Sequence, residues 1–132
     1  MSATTVTEPG PYVEIGRIDY DAGSVGGDYQ ASPSASRRFT RSNDDGTFST
    51  VDIYAFVTDE YRSKDRAKED RFWDYVVMTM SSTHTDREDV GGTEFASDVE
   101  YETPSLNGFD RKRAALTAAR DYIRSIELGR DL

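Results

Sequence analysis

The chain has 132 residues, 36% of them hydrophobic, and sets 16 basic against 25 acidic side chains for a net charge of −9. It contains no cysteine, which excludes disulfides, thiolate nucleophiles and cysteine-held zinc or iron–sulfur centres within it. The negative balance repels nucleic acid and anionic membrane, so basic or neutral protein partners are favoured.

Residues 1–11 end in Glu8-Pro9-Gly10-Pro11, turn chemistry without a hydrophobic period, and are expected to form an extended N-terminal arm on a single domain of residues 12–132. The arm lacks the basic start and apolar run of a signal peptide, and no segment approaches the roughly 18 apolar residues of a membrane span, so a cytoplasmic or virion location is expected. Across 12–20, Val13 and Ile15 alternate before the phase changes to Ile18 and Tyr20 at Gly16, as in a strand bulged at the glycine. Residues 21–36, rich in Gly, Ser and Ala, read as a long surface loop.

Two β-rich runs, 37–42 and 47–58, flank Asn43-Asp44-Asp45-Gly46, which predicts a hairpin turn with Gly46 at positive φ. In the second run Val51, Ile53, Ala55 and Val57 share one face while Phe48, Tyr54 and Phe56 occupy the other, as in a central strand. The charged stretch 59–70 reads as a solvated tip, and 71–81 as the antiparallel mate of 47–58. Loop composition over 81–92 predicts an exposed His84, the one histidine. In 93–102, Phe95, Val99 and Tyr101 alternate inward with Glu94, Asp98, Glu100 and Glu102 outward, a one-faced strand near a sheet edge.

A helix over 110–128 closes the chain, with Asp110 as N-cap, Leu116, Ala119, Ile123 and Ile126 at helical spacing, Ala115 and Tyr122 beside them, and Gly129 as the stop. The expected fold is α+β: an antiparallel sheet of about five strands (12–20, 37–42, 47–58, 71–81, 93–102) covered by one C-terminal amphipathic helix (110–128).

Catalytic chemistry finds little footing. One histidine cannot supply a histidine metal site or an acid/base pair, and Ser81, Ser82 and Asp86 beside it in sequence do not make a triad, whose members come from separate elements. Asp19-Tyr20-Asp21-Ala22-Gly23 resembles the start of a calcium loop, but Ser24 stands where that loop needs Gly and Gln30 where it needs Glu, which leaves a noncanonical cation site of Asp19, Asp21 and Asp28 as the alternative to solvated loop carboxylates. Gly26-Gly27 and Gly91-Gly92 lack the residues of a phosphate cradle. No catalytic residue, metal ligand or cofactor is expected, and the protein is read as not an enzyme.

Charge placement is the remaining signal. Residues 76–107 carry Arg87 against seven carboxylates, whereas 108–132 carry six cations against four anions. Arg111, Lys112 and Arg113 fall in the first helical turn, where the macrodipole opposes positive charge, and Arg113, Arg120 and Arg124 lie near one another outside the apolar stripe. They pair with the acidic strand of the same molecule, are simply solvated, or form a contact for an acidic neighbour, a phosphate or the 76–107 face of another copy. The expected function is a non-enzymatic interaction or structural assembly protein, in one form phage-encoded, whose contact residues are Arg111, Lys112, Arg113, Arg120, Arg124, Glu94, Asp98, Glu100 and Glu102 and whose partners are protein subunits, self or other. The alternative is a small acidic regulator that blocks a basic nucleic-acid- or nucleotide-handling site on a host protein. Net charge disfavours direct nucleic-acid binding, although Phe48, Tyr54 and Phe56 offer a stacking surface if exposed.

Overall fold

The computed structural model describes residues 10–20, 34–84, 98–103 and 108–132. These form β1 (Val13–Asp19), β2 (Ala35–Ser42), β3 (Phe48–Thr58), β4 (Asp74–His84), β5 (Asp98–Glu102) and α1 (Lys112–Arg124). The strands make one antiparallel sheet in the order β1-β2-β3-β4-β5, so neighbours in sequence are neighbours in space, and α1 packs across β2, β3 and β4. This is the α+β arrangement expected. The N-terminal arm through residue 9, most of the 21–36 loop and residues 93–97 lie outside the described residues.

The β2–β3 hairpin turns where its sequence requires. Gly46 sits at φ +85°, and the Asn43 amide donates to the Thr47 carbonyl at 2.8 Å. Asp45 accepts from the Thr47 amide at 3.0 Å, closing the turn with a side chain. The bulge in β1 also forms: pairing jumps from Ile15↔Arg38 to Asp19↔Ser36, with Gly16 at φ +72°.

Three elements are displaced from their expected limits, and one of them, β2, begins at Ala35 inside the expected loop rather than at residue 37. β4 begins at Asp74 rather than at residue 71 and continues to His84. Trp73 is drawn instead into a two-bond bridge with Phe109, each bond 2.7 Å, while Phe72 stacks on Tyr61 with ring centroids 4.7 Å apart. At the other end, the register Phe48↔His84 gives Ser81 to His84 strand partners on β3, and that ladder outweighs their loop-like composition. The helix begins at Lys112, not Asp110, because Phe109 is pinned to Trp73 and Arg111 is still extended at φ −125°, ψ 142°. It therefore starts without a side-chain cap and without an acidic residue in its first turn.

Both faces of the sheet are buried at its centre. On the helix side Ala35, Phe39, Val51, Ile53, Ala55, Tyr75 and Val77 pack against Ala119, Ile123 and Ile126, and fully buried Ala115 and Ala119 let the helix approach closely. On the second side Tyr54, Phe56 and Met78 form a cluster with Met80. Each large apolar side chain so enclosed contributes about 1.5–3 kcal/mol. Phe48, Tyr54 and Phe56 are therefore core residues and not an exposed stacking surface. The charged 59–70 stretch forms two single 3₁₀ turns, Glu60–Arg62 and Lys68–Asp70, with no buried residue. No helix among the described residues is long and apolar enough to cross a membrane.

Candidate functional site

The acidic half of the expected surface is an open sheet edge. All five residues of β5 are exposed. Asp98, Glu100 and Glu102 stand across from Ser81, Thr79 and Val77 on the helix side of the sheet. Glu102 accepts the Tyr122 hydroxyl at 2.9 Å, whereas no hydrogen bond or ion pair engages Asp98 or Glu100 among the described residues. Val99 and Tyr101 lie on the second side opposite Met80 and Met78, yet at 41% and 39% exposure they are not the inward residues that alternation suggested. A short terminal strand has a neighbour on one side only, which leaves its side chains half uncovered. Glu94 and Phe95 lie outside the described residues.

The basic half divides in two. At the start of α1, Lys112 Nζ lies 5.6 Å from the centroid of the Trp73 ring and the Arg62 guanidinium 4.8 Å from it. Arg66 covers the stacked Tyr61 and Phe72 at 5.7 and 5.3 Å. Gly108, at φ +69°, lets the chain pass so near Phe72 that a Cβ there would sit 2.2 Å from its ring. The helix start and the β3–β4 tip thus share one end where cations cover aromatic rings and the carboxylates of Asp65, Glu69, Asp70 and Asp110 stand beside them; Arg111 and Arg113 are exposed there and make no ion pair among the described residues.

Arg120 and Arg124 belong elsewhere. Arg120 donates to the Ser34 carbonyl at 3.3 Å, Arg124 donates to the Tyr20 hydroxyl at 3.0 Å and to Asp121 at 2.7 Å, and both guanidinium groups lie over the Tyr20 ring. Their work is to tie the helix to the end of β1. Among the described residues the side-chain hydrogen bond from α1 to β5 is made by Tyr122, not by an arginine.

A third place was not singled out by sequence. In the β1 bulge Gly16, Arg17 and Ile18 face Arg37 alone, and the sheet opens into a cavity of about 290 Å³ lined by Ile15, Gly16, Arg17, Asp19, Ser36, Arg37, Arg38, Asp52 and Tyr54. Arg38 Nε donates to Asp52 Oδ1 at its floor, with Asp52 only 5% exposed. Burial pushes the Asp52 carboxyl above its ordinary range, with Arg38 and His84 pulling the other way. Burial, and then the charge of Asp52, raises the Tyr54 phenol as well. A carboxylate in the apolar run Val51 to Val57 was the available signal: a charge on a strand buried on both faces requires a partner, and Arg38 lies across the hairpin from it.

His84 is likewise not the exposed loop residue expected. It is buried at the end of β4, its Nε2 lies 3.0 Å from Thr50 Oγ1, and its ring stacks on Phe48 at 5.3 Å. Strand alternation places it with Met80 and Ser82 on the second side, where packing decides its environment. Of the calcium-like trio, Asp21 and Asp28 lie outside the described residues; among the described residues no three His, Cys, Asp or Glu side chains are grouped to hold a metal.

The class that this architecture defines is an α+β protein built on a five-stranded antiparallel meander with one helix across one face. No protein-family model matches the chain, and neither a curated protein nor a solved structure shows significant similarity to it.

Proposed function

We propose that the chain is a non-enzymatic interaction protein that assembles head to tail, the acidic edge β5 of one copy meeting the end around Trp73 of the next. The observation that carries this reading is the pairing of two unsatisfied surfaces at different places on one subunit. Asp98 and Glu100 are exposed without partners on one, Arg111 and Arg113 on the other. Unlike patches on one subunit make a heterologous contact, which propagates into rings or filaments rather than closing as a two-fold dimer.

An exposed ion pair contributes about 1 kcal/mol at most, so the contact draws on several pairs together with the uncovered Val99 and Tyr101. Screening follows directly, since the Debye length falls from about 30 Å at 0.01 M salt to about 8 Å at 0.15 M. The assembly belongs to a cytoplasmic or virion setting in this reading, and its partner is another copy of the chain. Light scattering across that salt range tests it: mass that grows with concentration at low salt and collapses at high salt supports assembly, and a strict monomer at low salt and high concentration rejects it.

A further inference from the structure

We infer that the cavity in the β1 bulge is a binding site for a small carboxylate, held by the guanidinium of Arg38 with Tyr54, Ser36 and Arg17 around it. The site is separate from the charged surfaces of β5 and the helix start, and stands or falls independently of assembly.

The floor of the cavity is expensive to build. Burying a charged pair costs desolvation that its attraction barely returns, and an apolar pair of similar volume usually serves a fold as well or better. Arg38 and Asp52 face each other in a polar strip of the sheet, with Ser36, Thr40, Thr50 and Tyr54 as same-face neighbours, and Asp52 is only 5% exposed, so the pair carries its desolvation cost there. Its geometry leaves a usable edge. Asp52 takes the Nε of Arg38, and the Arg38 side chain remains 27% exposed. The Tyr54 phenol lies against the same guanidinium.

The remaining lining sets the donors of Ser36 and Arg17 beside the carboxylate of Asp19. Ser36 pairs with Tyr54 across the β2–β3 ladder, and its hydroxyl makes no hydrogen bond among the described residues. Arg17 is exposed at the mouth, where Gly16 has open space around its Cα. Arg37 adds no free donor, because Glu14 and the carbonyls of Ile123 and Ile126 occupy all three of its nitrogens. A carboxylate matches the planar fork of Arg38 better than a spherical anion does. Ile15 and the Tyr54 ring leave room for a short hydrocarbon tail, and about 290 Å³ is at the small end of ligand cavities.

The test is an amide and arginine Nε–H NMR titration of the full chain with propionate, and with propionamide as its neutral counterpart. Saturable shifts confined to Gly16, Arg17, Ser36 and the Arg38 side chain, given by propionate and not by propionamide, are expected. Arg17→Glu, at an exposed position, and Ser36→Ala should each weaken the propionate response by about tenfold or less while leaving the rest of the spectrum unchanged. Equal shifts from both probes, shifts spread over surface arginines, or no saturation would overturn the assignment.

Discussion

Arg37 grips Glu14 with two hydrogen bonds, Nε to Oε2 at 3.0 Å and Nη2 to Oε1 at 2.6 Å, and gives its third nitrogen to the Ile123 and Ile126 carbonyls. One guanidinium thus fastens the edge strand β1 and satisfies the C-terminal end of α1, whose last carbonyls have no partner within the helix. With Arg37 only 11% exposed, Arg37→Met should cost about 3 kcal/mol, since it strands Glu14 and two carbonyls together. Urea denaturation measures this. Arg37→Lys, which keeps the charge without the fork, should recover only part of the loss.

Two glycines at nearly the same φ should respond differently to alanine. Gly16→Ala adds a Cβ with nothing within 4 Å, so only backbone strain remains, about 1 kcal/mol. Gly108→Ala adds the same strain and drives the Cβ to 2.2 Å from the Phe72 ring, so at least about 2 kcal/mol is expected. The second change should also disturb the fluorescence of Trp73, the chain's one tryptophan, through its bridge to Phe109.

Much of this architecture is legible in the sequence because it rests on local rules. The Asn43 to Gly46 turn, the bulge at Gly16 and the alternating faces of β3 depend on backbone geometry and period, which the sequence displays. The Arg37 contacts do not, because 86 and 89 residues separate it from its carbonyl partners. His84 was hidden for a related reason: its polar surroundings in sequence resemble a loop, and only pairing with Phe48 makes them a strand. Asp52 was visible as an anomaly, but the cavity beside it depends on how far the bulge displaces β1 from Arg37.

Asp52 makes a test by pH. Because burial raises its carboxyl above the ordinary 3.8, the folded state holds the proton more tightly than the unfolded chain does. Its contribution is fully present below the unfolded value and is lost as pH rises through the folded one. Wild-type stability relative to Asp52→Asn should therefore fall as pH rises above the ordinary carboxylate range. A relative stability that rises over this window would mean that attraction to Arg38 outweighs burial.

Tyr122 gives the alkaline counterpart. Burial, and then its hydrogen bond to Glu102, pushes the phenol up to about 12. Its part in stability is present below the ordinary tyrosine value of about 10 and is lost as pH rises through the folded value. The negative charge of Glu102 adds to both causes; Glu102→Gln removes that charge and keeps the acceptor oxygen, so ultraviolet titration should show one tyrosine ionising earlier than in the wild type. An unchanged titration would mean that the charge of Glu102 plays no part.

Assembly through β5 and the helix start is tested most directly by charge reversal and mixing. Asp98→Lys with Glu100→Lys makes both surfaces basic, and Arg111→Glu with Arg113→Glu makes both acidic. Sedimentation velocity at low salt should find each double variant monomeric alone and find large species when the two are mixed in equal amounts. Variants that still assemble alone, or a mixture that remains monomeric while the wild type assembles, would contradict head-to-tail contact through these surfaces.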